Sequence, residues 1–105
     1  MTNYVLLYNG GGMPETQEEQ DAVMAKWGAW MGSLGDTLVD GGNPFSGQAK
    51  SISADGSVSA GSLADGSSGY SIITAGSLDA AVDVAQGCPI LESGGSISVF
   101  ETLVM

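Results

Sequence analysis

Apolar residues follow two rhythms along this chain, a period of two or an unbroken short run in some stretches and helical spacing in others. Tyr4 to Tyr8 is a run rich in strand formers that stops at Asn9-Gly10-Gly11-Gly12, so it reads as a buried strand emerging into a glycine loop. After Pro14, Thr16-Gln17-Glu18-Glu19 has the form of a capping box, and the acidic first turn suits the helix dipole. Val23, Trp27, Trp30 and Leu34 then recur at spacings of four, three and four, with Met24 and Met31 alongside. That stripe predicts an amphipathic helix of about five turns ending near Gly35. Gly28 and Gly32 lie one turn apart on it, where close packing against a sheet or a partner is the expected role.

Thr37-Leu38-Val39-Asp40 starts a second extended segment, broken by Gly41-Gly42-Asn43-Pro44 and followed by Phe45. Residues 49–53 and 57–60 flank Ala54-Asp55-Gly56, a hairpin signal between short, polar and exposed runs. Residues 61–69 have low complexity, with Leu63 the one large apolar side chain, and read as a loop. Tyr70 to Ala75 is the next strand, and Ser77 caps a second helix whose buried face is expected at Leu78, Ala81, Val82 and Ala85. Gly87 ends that helix, Pro89 prevents its return, and Ser96 to Glu101 alternates as a half-buried strand with Ile97 and Val99 on one face.

Two βαβ-like halves with only two helices predict an α+β ferredoxin-like sandwich, an antiparallel sheet with both helices on one face. The other face is left bare, so a homodimer with its sheets packed face to face is expected. The 105 residues make a single domain, 1–105, able to bury roughly 65% of the unfolded surface in one core.

Charge narrows the partners. Twelve carboxylates against Lys26 and Lys50 give a net charge of −10, which provides no basic patch for phosphates or anionic lipid. Neither nucleic acid nor membrane is an expected partner, and no apolar run approaches the ~20 residues of a membrane span. One cysteine and no histidine offer neither a disulfide framework nor a zinc site of the usual kind. No cofactor is expected, and with no positive region at the start of the chain the cytoplasm is the expected compartment. The glycine loop after the first strand lacks the spacing of a phosphate cradle and reads as a loop near a cleft.

The chemistry such a chain can carry rests on few groups. Asp40, at a strand end beside Gly41 and Gly42, is the carboxylate best placed to face a cleft, where burial would fit it to act as a general base; its plainer reading is a turn aspartate bonding local amides. Tyr8, at the end of the first strand, is a polar contact in any such cleft, and Asn43 is a second hydrogen-bonding group. Trp27 and Trp30 are core at their helical spacing, or line an aromatic pocket; Phe45 is an anchor beside it. Cys88 follows a helix C-terminus, where the dipole disfavours a thiolate, and reads as a buried, inert thiol.

Several of these stretches together carry a resemblance. Tyr4-Val5-Leu6-Leu7-Tyr8, the Trp-x-x-Trp helix, Leu38-Val39-Asp40-Gly41-Gly42-Asn43-Pro44-Phe45, Gly69-Tyr70-Ser71-Ile72-Ile73, Ser77-Leu78-Asp79-Ala80-Ala81 and Gly87-Cys88-Pro89 look like the YCII-related (DGPF) family over nearly the whole chain. The resemblance implies a ferredoxin-like dimeric α/β barrel. Two departures matter: Ala60-Gly61-Ser62-Leu63 stands where the family often has Asp-Gly-Pro-Phe, and the histidine that some members place on the first helix is missing, its place falling near Met24. An acid-base mechanism that needs imidazole is therefore closed to this chain.

Three functional expectations follow. The first is a small homodimeric binding protein holding a small neutral or apolar molecule between helix and sheet, with Tyr8, Trp27, Asn43 and Phe45 as its ligand contacts. The second is a cofactor-free lyase or isomerase with Asp40 as base and Tyr8 or Asn43 as hydrogen-bond donor. The third, raised by the resemblance alone, is an interaction module linked to an extracytoplasmic-function sigma factor.

Overall fold

A computed structural model describes residues 1–10, 14–46, 48–60 and 67–104. The first strand, β1 (Thr2–Asn9), alternates along its length, with Tyr4, Leu6 and Tyr8 buried and Val5 and Leu7 only half-buried. Helix α1 (Gln17–Leu34) starts where the Thr16 hydroxyl oxygen accepts the Glu19 N–H at 3.2 Å, and it stops at Gly35, whose φ of 54° few other residues adopt readily. A single 3-10 turn (Gly35–Thr37) delivers the chain to β2 (Leu38–Asp40).

The predicted hairpin is present as β3 (Lys50–Ile52) and β4 (Val58–Ala60), which among the described residues pair only with each other and are exposed throughout. Its turn is fixed by the Asp55 carboxylate, which accepts both the N–H and the hydroxyl of Ser57, at 2.9 and 2.7 Å. Those two bonds hold the Asp55 carboxyl below its ordinary range. Strand β5 (Ser67–Ala75) leads to helix α2 (Leu78–Ala85), capped by the Ser77 hydroxyl oxygen accepting the Ala80 N–H at 3.1 Å. A 3-10 segment (Pro89–Ser93), which local periodicity does not announce, precedes β6 (Ser96–Glu101).

The main sheet has the order β2-β5-β1-β6 with every neighbouring pair antiparallel. The class is α+β, and the order is compatible with a ferredoxin-like βαββαβ fold. Register explains the core: Tyr4 faces Ile73 across β5, Leu6 faces Ser71, and on the other side Leu6 faces Val99 and Tyr8 faces Ile97. These residues share one side of the sheet and pack with Trp30, Ala81, Ala85, Cys88 and Ile90. The alternate positions Val5, Leu7, Ile72 and Phe100 point to the opposite side, where Phe100 is 53% exposed. The thinnest dimension, 18 Å, is that of one sheet and one layer of helices.

Three expectations need correction. Ser67 to Gly69 are strand, not loop: they lack strand-forming side chains, but Gly69 lets the Asn43-Pro44 backbone cross directly over it, since a Cβ there would lie 3.0 Å from the Asn43 carbonyl oxygen. Helix α2 buries Ala81 and Ala85, whereas Leu78 and Val82 are 46% and 37% exposed, because the small pair lies against the sheet and the larger pair is turned to one side. Gly28 and Gly32 do not pack on the sheet; among the described residues of this chain a Cβ at either would have no neighbour within 4 Å. Gly11, Gly12 and the stretch 61–66, with Leu63 and Asp65, lie outside the described residues.

Candidate functional site

Between α1 and the sheet opens a cavity of about 430 Å³. One wall is a single helical stripe, Met24, Trp27, Gly28 and Met31, spaced i, i+3, i+4 and i+7, with Val23 beside it. The loop after β2 supplies the rim, Gly41 to Pro44, and the start of β5 adds Ser68, Gly69 and Tyr70. Tyr8 and, from the 3-10 segment, Ile90 and Ser93 complete the lining.

Two backbone features place that rim. The Asp40 carboxylate accepts the Gly42 N–H at 2.8 Å, closing a local turn, and Gly42 sits at a φ of 71° against the Tyr70 backbone. A Cβ at Gly42 would overlap the Tyr70 carbonyl, so only glycine lets this loop lie against β5. The loop is held further by the Phe45 N–H donating to the Ser68 carbonyl at 2.8 Å and by Phe45 stacking on Tyr70 with ring centroids 6.1 Å apart.

Tyr8 is fixed from behind the wall. Its hydroxyl donates to Ser71 Oγ at 2.8 Å, and Ser71 in turn donates to the Gly41 carbonyl at 2.7 Å. The direction of this chain is set by its end, because a carbonyl only accepts. The Tyr8 proton is therefore committed to Ser71, and the Cys88 thiol lies against the same hydroxyl. Burial pushes the Tyr8 phenol up to about 12 and raises the Cys88 thiol as well. What Tyr8 offers the cavity is its ring, which meets the Trp27 ring edge-on at 5.1 Å and 88°. Trp27 meets Trp30 in the same way at 6.0 Å, so the aromatic wall continues into the core.

Of the residues singled out in the sequence, the fold brings Tyr8, Trp27 and Asn43 to this cavity. Phe45 stands behind the lining, reaching it through Tyr70. Asp40 is exposed, its carboxylate engaged by Gly42, and it is not among the described lining residues. Asp40 thus has the geometry of the turn aspartate, and of the two donors considered with it the Tyr8 hydroxyl is engaged by Ser71 while Asn43 lines the cavity. The thioethers of Met24 and Met31 were missed as site residues, although their seven-residue spacing about Trp27 is legible in the sequence.

A second, shallower apolar cleft of about 360 Å³ runs between α2 and β6, lined by Leu78, Val82, Leu91, Ile97 and Val99 among others. Among the described residues no group of three or more His, Cys, Asp or Glu side chains is placed to hold a metal ion, and no helix is long and apolar enough to cross a membrane. No family model matches the chain, and no curated protein does.

Proposed function

We propose that this protein is a small homodimeric binding protein of the YCII-related type that holds a small neutral or apolar molecule in the cavity between α1 and the sheet. The observation that carries the reading is the cavity itself: its volume suits a small organic molecule, and its walls are rings, thioethers and aliphatic groups with Asn43, Ser68 and Ser93 as polar side chains. The strand order β2-β5-β1-β6 is compatible with the ferredoxin-like fold that the resemblance implies, and the apolar positions Val5, Leu7, Ile72 and Phe100 on the helix-free side of the sheet support a second copy packed there, as a dimeric α/β barrel requires.

Benzyl alcohol, titrated while tryptophan emission is followed, tests the binding function. A saturable change that disappears in Trp27→Ala is the expected result; a change linear in probe to its solubility limit would refute the assignment. Light scattering at micromolar concentration tests assembly separately. The native chain is expected at twice its monomer mass of 10.5 kDa and Phe100→Glu at the monomer mass; a native monomer would reject the dimer and leave the cavity assignment standing.

A further inference from the structure

We infer that the preferred occupant of the α1 cavity is an organic cation without N–H groups, a quaternary ammonium or a comparable lipophilic cation, rather than an uncharged molecule of the same shape. The inference rests on the binding function proposed above and revises its ligand class, from a neutral molecule to a cation whose surface is apolar. Tyr8 and Trp27 both line the cavity and meet edge-on at 88°, with Tyr8 buried and Trp27 half-buried, so the aromatic surface most open to a ligand is the indole. Ring faces carry negative electrostatic potential, and a cation held against them is stabilised most where water is excluded.

The charges around the cavity act in the same sense. The chain carries −10 with only two lysines. Lys26 is engaged by Glu92 at 3.1 Å, and Lys50 lies on the separate hairpin, so neither cation lines the cavity. At the rim the Asp40 carboxylate is within hydrogen-bond distance of Gly42, a lining residue, and is open to solvent with no lysine paired to it. It therefore supplies an uncompensated negative charge beside the opening, and the protein's overall field draws cations toward it.

Hydrogen bonding selects among cations. A primary ammonium brings three N–H groups that each need an acceptor, and on a wall that is mostly apolar the side chains able to accept are those of Asn43, Ser68 and Ser93, with the Gly41 and Asn43 carbonyls each already accepting one bond. A quaternary ammonium has no such demand. Its methyl groups pack on Trp27, Met24 and Met31 as an apolar molecule would, while its charge remains spread over the ring faces.

The test pairs phenyltrimethylammonium with tert-butylbenzene, which replaces the charged nitrogen by carbon in the same shape, and adds benzoate as the anion. Titrations followed by tryptophan emission are expected to show the cation binding about fivefold to tenfold more tightly than its neutral isostere at low salt, with benzoate weakest. The preference is expected to shrink as salt screens the surrounding charge, and in Trp27→Leu the ratio of the two affinities is expected to fall to about one. Asp40→Asn, whose amide oxygen can still accept the Gly42 N–H, is expected to lower the ratio of cation to neutral-probe affinity about twofold. Equal or tighter binding of tert-butylbenzene overturns the cation preference and leaves the binding function intact; saturable binding of neither probe overturns both.

Discussion

The two clefts on the helical side of the sheet are built in opposite ways. Under α2 the contact residues are Ala81 and Ala85, at 0% and 4% exposure, so that helix lies close on the sheet and its cleft is only the shallow gap left beside β6. Helix α1 stands instead on Trp30, with Trp27 and Met31 packed around it, and side chains of that size hold the helix axis away from the strands. Interaxial and interlayer distances follow the size of the residues at the contact. The larger cavity is thus a consequence of propping one helix on indoles, closed at its rim by a loop that only glycine lets approach β5. Small contact residues make a seal; large ones make a container.

Removing the prop is the most damaging change. Trp30→Ala is expected to destabilise the fold by about 3 to 5 kcal/mol, since a buried indole is lost and a void remains, measured as a fall in the urea midpoint. An unchanged midpoint would mean that α1 does not rest on this residue. Gly42→Ala is expected to cost about 3 kcal/mol, through a disfavoured backbone angle and direct overlap with the Tyr70 carbonyl, and to abolish probe binding by displacing the rim. Ala81→Leu, which puts a large residue under the sealed helix, is expected to cost about 1 to 3 kcal/mol; full tolerance would show that α2 is not held by close approach.

Alkaline pH probes the wall behind the cavity. The Tyr8 phenol titrates at about 12 in the fold against an ordinary 10.0, so its contribution is complete below 10 and is lost as the pH rises through 12. Cys88 has the same sign, its stabilising effect starting to fall above its ordinary 9.0. The thermal midpoint should therefore decline above about pH 9, and Tyr8→Phe should remove the part of that decline belonging to the phenol. An identical alkaline profile in the variant would place the sensitive group elsewhere.

The smallest effect is the most discriminating. Gly28 and Gly32 both have room for a methyl group, and alanine at either should stabilise α1 by about 0.5 to 1 kcal/mol. Only Gly28 lines the cavity, so Gly28→Ala should also weaken probe binding while Gly32→Ala leaves it unchanged.

What the sequence announced and what it hid divide along the same physical line. The Thr16 and Ser77 caps, the Gly35 stop and the Asp55-Gly56 turn are local arrangements, each settled within a few residues, and they stand where spacing predicts. Ser67 to Gly69 carry no strand signal because their place in β5 is won by pairing with Asn9 and Tyr8 sixty residues away. Leu78 and Val82 have the periodicity of a buried face, yet which side of a short helix meets the sheet is decided by how closely the whole helix can approach. At the site, Tyr8, Trp27 and Asn43 were legible as a strand end, a helical stripe and a glycine loop. The commitment of the Tyr8 proton was not, since it depends on Ser71 and on the Gly41 carbonyl beyond it.

The claim that one cleft is a container and the other a gap is tested most directly by following side-chain methyl resonances during a titration with benzyl alcohol. Saturable shifts are expected at Met24 and Met31, with Leu78, Val82 and Leu91 unmoved at the same probe concentrations. Saturable shifts at the α2 cleft with none at the two methionines would contradict the account.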